Sequence, residues 1–225
     1  MAEIRVMLSL AFKPAHLELV PSFERATGHK VVSLWVSTVN MLGRLQGGEA
    51  ADLVIAPSMR VDEMGAAGLI ADRTVLTRSG VGVAVKAGAR RPDISSEEAL
   101  KRAVLAAKSI VYSTGPSGVH LAGVFERMGI SGEIKGRIKQ VQGEPTAGVV
   151  ARGEAEIAFQ QLSELLPVPG IDIVGPLPRE IQEITTFLAV VPVKAKEAQA
   201  AKALIAHFKT PAAIEVIRKW GMEPG

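Results

Sequence analysis

The strongest constraint on the fold is a repeated order of short apolar runs and amphipathic stretches. The runs IRVMLSL, KVVSLWV and ADLVIAP are rich in Val, Ile and Leu, as buried strands are. Each is followed by a stretch with helical spacing, namely PAHLELVPSFERATG, VNMLGRLQGG and SMRVDEMGAAG. Strands that alternate with helices of this length favour crossover connections and a largely parallel sheet. The sequence therefore predicts the α/β fold class.

The same order restarts at GVGVAVKAG, residues 80–88. Further strands are predicted in SIVYS, IKQVQ, AEIAFQQ, IDIVGPLP and ITTFLAVVPV. Further helices are predicted in SSEEALKRAVLAA, GVHLAGVFERMG, PTAGVVARGE, KEAQAAKALIAHFKT and PAAIEVIRKWG. A chain of 225 residues has room for two small lobes, each with its own core. We expect the chain to pass between them in the Val-rich runs 81–85 and 187–193.

Composition excludes several classes of function. The chain has no Cys, which rules out disulfides, thiolate metal sites and Cys nucleophiles. Its net charge is only +3, its Lys and Arg are dispersed, and it has nine aromatic Phe, Trp and Tyr residues, so no nucleic-acid partner is expected. His16, His29 and His207 are not spaced as metal ligands, and no GxSxG or GxxxxGK[ST] motif is present. We therefore expect neither a metal nor a cofactor.

Membrane and targeting signals are also weak. No apolar run approaches the roughly 18 residues of a membrane span, so no direct membrane insertion is expected. The first residues, MAEIRVMLSL, lead directly into strand-like sequence without the pattern of a signal peptide. Two interpretations follow: a periplasmic protein in its mature form, or a cytoplasmic one.

Polar residues follow the predicted strands. They include Ser9, the pair Ser37 and Thr38, the stretch STGPSGVH at 113–120, and the pair Gln160 and Gln161. Ligands of open parallel sheets bind beyond the carboxyl ends of the strands, where helices begin. Hydroxyl, amide and backbone N–H donors at these positions favour a small anion. The alternative is that each Ser or Thr merely caps the next helix.

The chain resembles the periplasmic molybdate-binding proteins of ABC importers and, more broadly, the type II solute-binding proteins. The resemblance runs almost end to end, through FERATGHKV, GRLQGGEAADLVIAPS, VVARGEAEIAF and LIAHFKTPAAIEVIRKWGMEP. It implies two Rossmann-like lobes joined by two crossover strands, with the ligand in the interlobe cleft. Lobe 1 would be residues 1–80 with 188–225, and lobe 2 would be residues 81–187. The resemblance also implies a small anionic ligand, the membrane subunits of an ABC importer as partners, and a monomer.

The resemblance assigns anion donors motif by motif. They would come from Ser9, from Ser37 with Thr38, from the PSG turn Pro116, Ser117 and Gly118, and from the turn at Pro145. Position in the same loops adds further ligand candidates: Leu10, Lys13, Gly115, His120, Thr146 and Gln160. Gln161 stands where the family often has Tyr, and VSTVN stands where it often has a Gly-Ser-Ser run. These departures favour an organic di- or tricarboxylate over a tetrahedral oxyanion such as molybdate.

Two functions from different classes remain open. The first is capture of a small anion for an ABC importer. The second is cofactor-independent isomerisation of an unsaturated tricarboxylate, since some proteins that resemble this family are aconitate isomerases. His120, Lys13 and Glu144 are the candidates for proton transfer in that case. Binding is the preferred hypothesis because no acid/base pair stands out in the sequence.

Overall fold

The computed structural model describes all 225 residues and contains ten strands and ten helices. The strands are β1 (Glu3–Leu8), β2 (Lys30–Trp35), β3 (Leu53–Pro57), β4 (Ile70–Lys86), β5 (Ile110–Ser113), β6 (Ile138–Val141), β7 (Ile157–Gln161), β8 (Ile171–Pro176), β9 (Ile184–Pro192) and β10 (Met222–Pro224). The helices are α1 (Lys13–Thr27), α2 (Thr38–Gln46), α3 (Ser58–Ala66), α4 (Glu97–Ala106), α5 (Pro116–Arg127), α6 (Ser131–Ile134), α7 (Thr146–Ala151), α8 (Leu162–Leu165), α9 (Ala198–Phe208) and α10 (Pro211–Lys219). Short 3-10 turns occupy Leu10–Phe12, Lys135–Arg137 and Arg179–Ile181.

The chain divides into two compact units. Unit 1 comprises Met1–Ser79 and Thr185–Gly225, and unit 2 comprises Gly80–Ile184. The first boundary falls inside β4 and the second at the start of β9. Both boundaries lie slightly before the divisions expected from the Val-rich runs.

The sheet of unit 1 has the strand order β2-β1-β3-β9-β4, and β10 pairs with β4. β1 runs parallel to both β2 and β3, while β9 is antiparallel to β3. The carboxyl ends of β1, β2 and β3 therefore share one edge.

Helices cover both faces of this sheet because successive strand residues point to opposite sides. Leu8 packs in one apolar cluster with Leu19 of α1 and Leu204 of α9. Met7, its neighbour in β1, belongs to the opposite cluster with Met41 of α2. This two-sided burial explains why the strands of unit 1 read as continuous apolar runs.

The sheet of unit 2 has the order β4-β7-β5-β6, and β8 pairs with β4. β5 is parallel to β6 and β7, whereas β4 is antiparallel to β7 and β8. Tyr112 of β5 packs with Leu100 of α4 and Leu121 of α5, and the adjacent Val111 packs on the other face with Val150 of α7. Unit 2 is thus also covered on both faces.

The predicted α/β class is confirmed, and each predicted strand and helix has a counterpart in the structure. The strand expected from residue 80 was predicted too short, because β4 already begins at Ile70. Its first half carries exposed polar residues, and its edge is paired by β10 through Thr77 and Ser79. None of the helices combines the length and hydropathy needed to span a membrane.

Candidate functional site

In unit 1, three loops with hydroxyl side chains begin at the shared edge of β2, β1 and β3. Ser9 follows β1, Thr38 follows β2, and Ser58 follows β3. Backbone hydrogen bonds from Val36 N to the carbonyl of Leu8 (3.1 Å) and from Ser9 N to the carbonyl of Ile55 (3.0 Å) continue the sheet into these loops. The three hydroxyls therefore sit at the end of adjacent strands, where an open parallel sheet binds ligands.

These hydroxyls differ in what they already bind. Ser9 is buried, and its Oγ accepts a hydrogen bond from Ala11 N at 3.3 Å, so its own proton remains available for a second acceptor. Ser37, Thr38 and Ser58 are half-buried, and no side-chain hydrogen bond caps the start of α2 or α3. The first backbone N–H groups of both helices are therefore available as donors.

Of the ten helices, α4 and α10 begin with a side-chain cap from their own N-cap residue. Ser96 accepts from Ala99 N at the start of α4, and Thr210 accepts from Ala213 N at the start of α10. One carboxylate oxygen of Asp52 accepts from two backbone N–H groups just before α9. Of the hydroxyls that follow the strands of unit 1, Ser9 acts as a cap, because its side chain caps the turn before α1. No Ser or Thr side chain caps α2 or α3.

Lys13 begins α1, directly after the turn that contains Leu10. The side chain is half-buried, and its Nζ lies 5.2 Å from the centre of the Trp35 ring, within the range of a cation–π contact. No carboxylate of the protein forms an ion pair with Lys13, so its ammonium group is available to bind an anionic ligand.

In unit 2, the parallel strands β5, β6 and β7 also end at one edge. Thr114 N donates to the carbonyl of Val141 at 3.0 Å, which holds the loop after β5 beside the end of β6. Gly115 precedes α5, whose start has Pro116 in its first turn and no side-chain cap. Ser117 is buried, and its Oγ lies 3.5 Å from that of Ser113.

Gly118 explains why the turn has the sequence PSG. A Cβ atom at this position would lie 1.6 Å from the carbonyl oxygen of Ser113, which no side chain can tolerate. The missing Cβ lets α5 begin directly against the end of β5. The N–H groups of this first turn are therefore held at the edge of the sheet.

Thr146 and Gln160 form hydrogen bonds with each other. The side-chain oxygen of Gln160 accepts from both Thr146 N (2.8 Å) and Thr146 Oγ1 (2.9 Å), immediately after Pro145. The Gln160 amide nitrogen donates to the carboxylate of Glu164 in α8. Burial raises the pKa of Glu164 to about 7, against the opposing effect of the Gln160 hydrogen bond. Gln161 is equally buried and points to the other face of the strand.

Two of the predicted proton-transfer residues have partners inside unit 2. His120 Nδ1 lies 2.7 Å from the Glu183 carboxylate, and His120 Nε2 lies 2.7 Å from the carbonyl oxygen of Ile181. Glu144 forms an exposed ion pair with Arg152 at 3.3 Å. Lys13 alone of the three candidates has no ion pair.

Ser58 and Glu164 were not among the site residues predicted from the sequence. Ser58 was recognisable, because it directly follows the apolar strand of the DLVIAPS motif, as Ser9 follows β1. Glu164 was not, because its contact with Gln160 depends on a four-residue helix that hydrophobic spacing does not reveal. No three His, Asp or Glu side chains cluster as a metal ion would require.

Comparison with known proteins places this geometry in context. Residues 4–223 match the family model described as bacterial extracellular solute-binding protein. The chain is 36% identical to an aconitate isomerase of Pseudomonas sp. over 218 residues, which covers 92% of this chain and 82% of the relative. It is 28% identical to the molybdate-binding protein ModA of Azotobacter vinelandii, over 98% of this chain and 89% of that protein.

A solved structure shows the same architecture. The periplasmic molybdate-binding protein of Azotobacter vinelandii superposes with a TM-score of 0.82 at 18% identity, over 99% of both chains. The predicted type II periplasmic binding protein fold is therefore confirmed, and so is the resemblance on which it was based.

Proposed function

This chain belongs to the bacterial extracellular solute-binding protein family, and on that premise we propose that it binds a small organic polycarboxylate. The proposed donors are Ser9, Thr38 and Ser58 of unit 1 and Ser117 of unit 2, together with the N–H groups that open α2, α3 and α5. The observation that carries the proposal is the position of these hydroxyls and of the uncapped starts of α2, α3 and α5, which follow the carboxyl ends of parallel strands.

The charges at these loops support an anion. Helix N-termini carry partial positive charge, and uncapped N–H groups bind carboxylate oxygens through charge-assisted hydrogen bonds. Lys13 adds a full positive charge that no carboxylate of the protein neutralises. One ammonium group and several neutral donors suit an anion with more than one carboxylate.

The choice of a polycarboxylate over a metal oxyanion rests on two further points. The relative whose name specifies aconitate shares 36% of its residues with this chain, against 28% for the molybdate-binding relative. In addition, Gln161 replaces the Tyr that molybdate-binding proteins often have. Both points support aconitate or a similar tricarboxylate as the ligand.

Thermal unfolding with a panel of anions tests the ligand class. The panel contains cis-aconitate, trans-aconitate and citrate, with molybdate, tungstate and sulfate as competing candidates. Because a ligand that binds only the folded state stabilises it, a tricarboxylate at about 100 times its Kd should add about 2.7 kcal/mol to the free energy of unfolding. A rise in Tm with molybdate or tungstate alone would contradict the proposal.

We propose isomerisation of aconitate as a second candidate function, favoured by the 36% identity to an aconitate isomerase. In this reaction a base removes a proton from the methylene carbon, the double bond shifts, and a proton returns to the far carbon of the allyl system. Lys13 would hold a carboxylate and stabilise the negative charge that spreads onto it in the intermediate.

Proton NMR distinguishes binding from turnover. The isomerase hypothesis predicts that pure trans-aconitate gives rise to cis-aconitate, and that Lys13→Gln lowers the rate at least tenfold. In D2O, solvent exchange of the transferred proton would introduce deuterium. An unchanged spectrum after long incubation at high protein concentration would leave binding as the function.

A binding role also requires a delivery partner. We propose that the loaded protein acts in the periplasm and delivers its anion to the membrane subunits of an ABC importer, as the family membership suggests. Fractionation of the native bacterium tests the location, and recovery of the protein only with the cytoplasm would contradict it.

A further inference from the structure

Unit 2 contains a second cleft, at the opposite end of β7 from the candidate anion site. It has a volume of about 720 Å³, within the range of small-molecule sites. Its walls are the end of β4, the turn 87–93, helix α4, and the start of β7. Ile157 at the start of β7 lines this cleft, whereas Gln161 at the far end of the strand belongs to the loops described above. Four residue steps of about 3.3 Å place the two ends roughly 13 Å apart.

Small side chains create the space in this cleft. Ala99 and Ala103 of α4 line it, together with Ala107 directly after that helix and Ala155 from the segment before β7. Their methyl groups leave an apolar floor between α4 and the strands. A ligand body that fills this floor would therefore be apolar.

Positively charged side chains surround the floor. Lys86, Arg90, Arg91 and Arg102 all line the cleft. Of these, only Arg91 forms an ion pair, with Asp172 at 3.7 Å. Lys86, Arg90 and Arg102 form no ion pair and no side-chain hydrogen bond within the protein.

The carboxylates that line the cleft already accept hydrogen bonds from the protein backbone. Asp93 Oδ1 accepts from Ser95 N at 3.0 Å, and this hydrogen bond lowers the pKa of Asp93 with a smaller contribution from Arg102. Glu156 Oε2 accepts from Lys108 N at 2.8 Å. Backbone N–H groups therefore already bind the carboxylates of Asp93 and Glu156. Lys86, Arg90 and Arg102 have no ion-pair partner in the protein, so they can form charge-assisted hydrogen bonds with an anionic ligand.

We propose that this cleft is a second binding site, which takes an anionic amphiphile: a small molecule with an apolar body and one carboxylate. The body would lie on the Ala floor of α4, and the carboxylate would contact Arg90 and Arg102. This site is independent of the polycarboxylate proposal, since it shares no residue with the loops at the carboxyl ends of the strands.

Isothermal titration calorimetry with 2-naphthoate tests the proposal, with uncharged 2-naphthylmethanol as the matched probe. We expect saturable binding of 2-naphthoate and clearly weaker binding of the alcohol. The double variant Arg90→Gln/Arg102→Gln should weaken 2-naphthoate binding about tenfold while leaving the alcohol unchanged, because it removes only charge-assisted contacts. Ala103→Leu should weaken both probes, because the larger side chain fills the floor.

Lys101→Gln is the control, since Lys101 lies on the same helix but does not line the cleft. It should bind 2-naphthoate as the wild type does. Each variant is checked for an unchanged circular dichroism spectrum before titration. Absence of 2-naphthoate binding, or binding that the Arg and Ala103 variants leave intact, would overturn the proposal, whether or not the protein binds tricarboxylates.

Discussion

His16 is an imidazole enclosed in the core of unit 1. Its Nε2 lies 2.7 Å from Ser33 Oγ, and its ring packs edge-on against Trp35 with 5.5 Å between ring centres. Burial lowers the pKa of His16 to about 4. The folded protein therefore holds this side chain in its neutral form, as a packing residue rather than a ligand.

The low pKa of His16 predicts a loss of stability in mild acid. The unfolded chain gains a proton at this position near pH 6.5, whereas the folded chain gains one only near pH 4. The free energy of unfolding should therefore fall by about 3 kcal/mol between pH 6.5 and pH 4 because of this residue alone. His16→Gln should flatten that part of the curve, measured by urea unfolding at a series of pH values. His29→Gln, at a more exposed histidine, is the control, and an equally steep curve in His16→Gln would contradict the assignment.

Glu164 predicts a pH effect of the opposite sign. Its folded pKa is raised to about 7, so the folded state keeps a proton that the unfolded chain loses near pH 4.5. Stability should fall as the pH rises from 4.5 to 7, and the loss should persist above pH 7. Glu164→Gln, which stays neutral, should therefore raise the Tm at pH 8 and leave it unchanged below pH 4.5. A lower Tm for Glu164→Gln at pH 8, with the exposed Glu180→Gln as control, would contradict this prediction.

The shifted pKa values of His16 and Glu164 could not be predicted from the sequence. Both pKa shifts depend on burial by residues that are distant in the sequence. For example, the ring centres of His16 and Phe208 lie 5.8 Å apart. In the same way, the contacts of His120 with Ile181 and Glu183 join residues about sixty positions apart. Residue type and local spacing therefore identified candidates in the loops that follow the strands without identifying the partners of their side chains.

At the scale of single elements, helix α5 offers a matched pair of glycines. Gly118 has the Ser113 carbonyl 1.6 Å from the position of a Cβ, whereas a Cβ at Gly123 would meet only Arg127 Nη1 at 3.6 Å. Gly118→Ala should lower the free energy of unfolding by about 1–3 kcal/mol through overpacking. Gly123→Ala should raise it by about 0.5–1 kcal/mol, because Ala favours the helix. Chemical denaturation measures both, and equal effects of the two substitutions would show that α5 does not press against β5 as described.

Elements with strong periodicity were predictable from the sequence, and short or exposed ones were not. Helices such as α4 and α9 have a clear apolar stripe, and the PSG turn marks the start of α5. The four-residue helices α6 and α8 and the three-residue strand β10 are too short to produce a pattern. The first half of β4 carries short blocks of polar and apolar residues without a strict alternation, so its sequence did not indicate a strand.

At the scale of the whole molecule, the α/β class and the family followed from the alternation of strands and helices and from long motifs. The position of the candidate site followed from the rule that ligands bind beyond the carboxyl ends of parallel strands. The separate roles of the site residues could not be predicted in this way. In the sequence Thr146 and Gln160 both look like free donors, whereas in the structure they form hydrogen bonds with each other.

The proposed binding of an organic polycarboxylate depends on hydroxyl donors in each unit. Isothermal titration calorimetry with trans-aconitate, on the wild type and on one variant in each unit, tests it most directly. Thr38→Val in unit 1 and Ser117→Ala in unit 2 each remove one hydroxyl donor, and each should weaken binding by about five- to twentyfold. Ser95→Ala, at an exposed serine away from both edges, should bind as the wild type does. Absence of trans-aconitate binding, or equal affinity in the wild type and in both site variants, would contradict the claim.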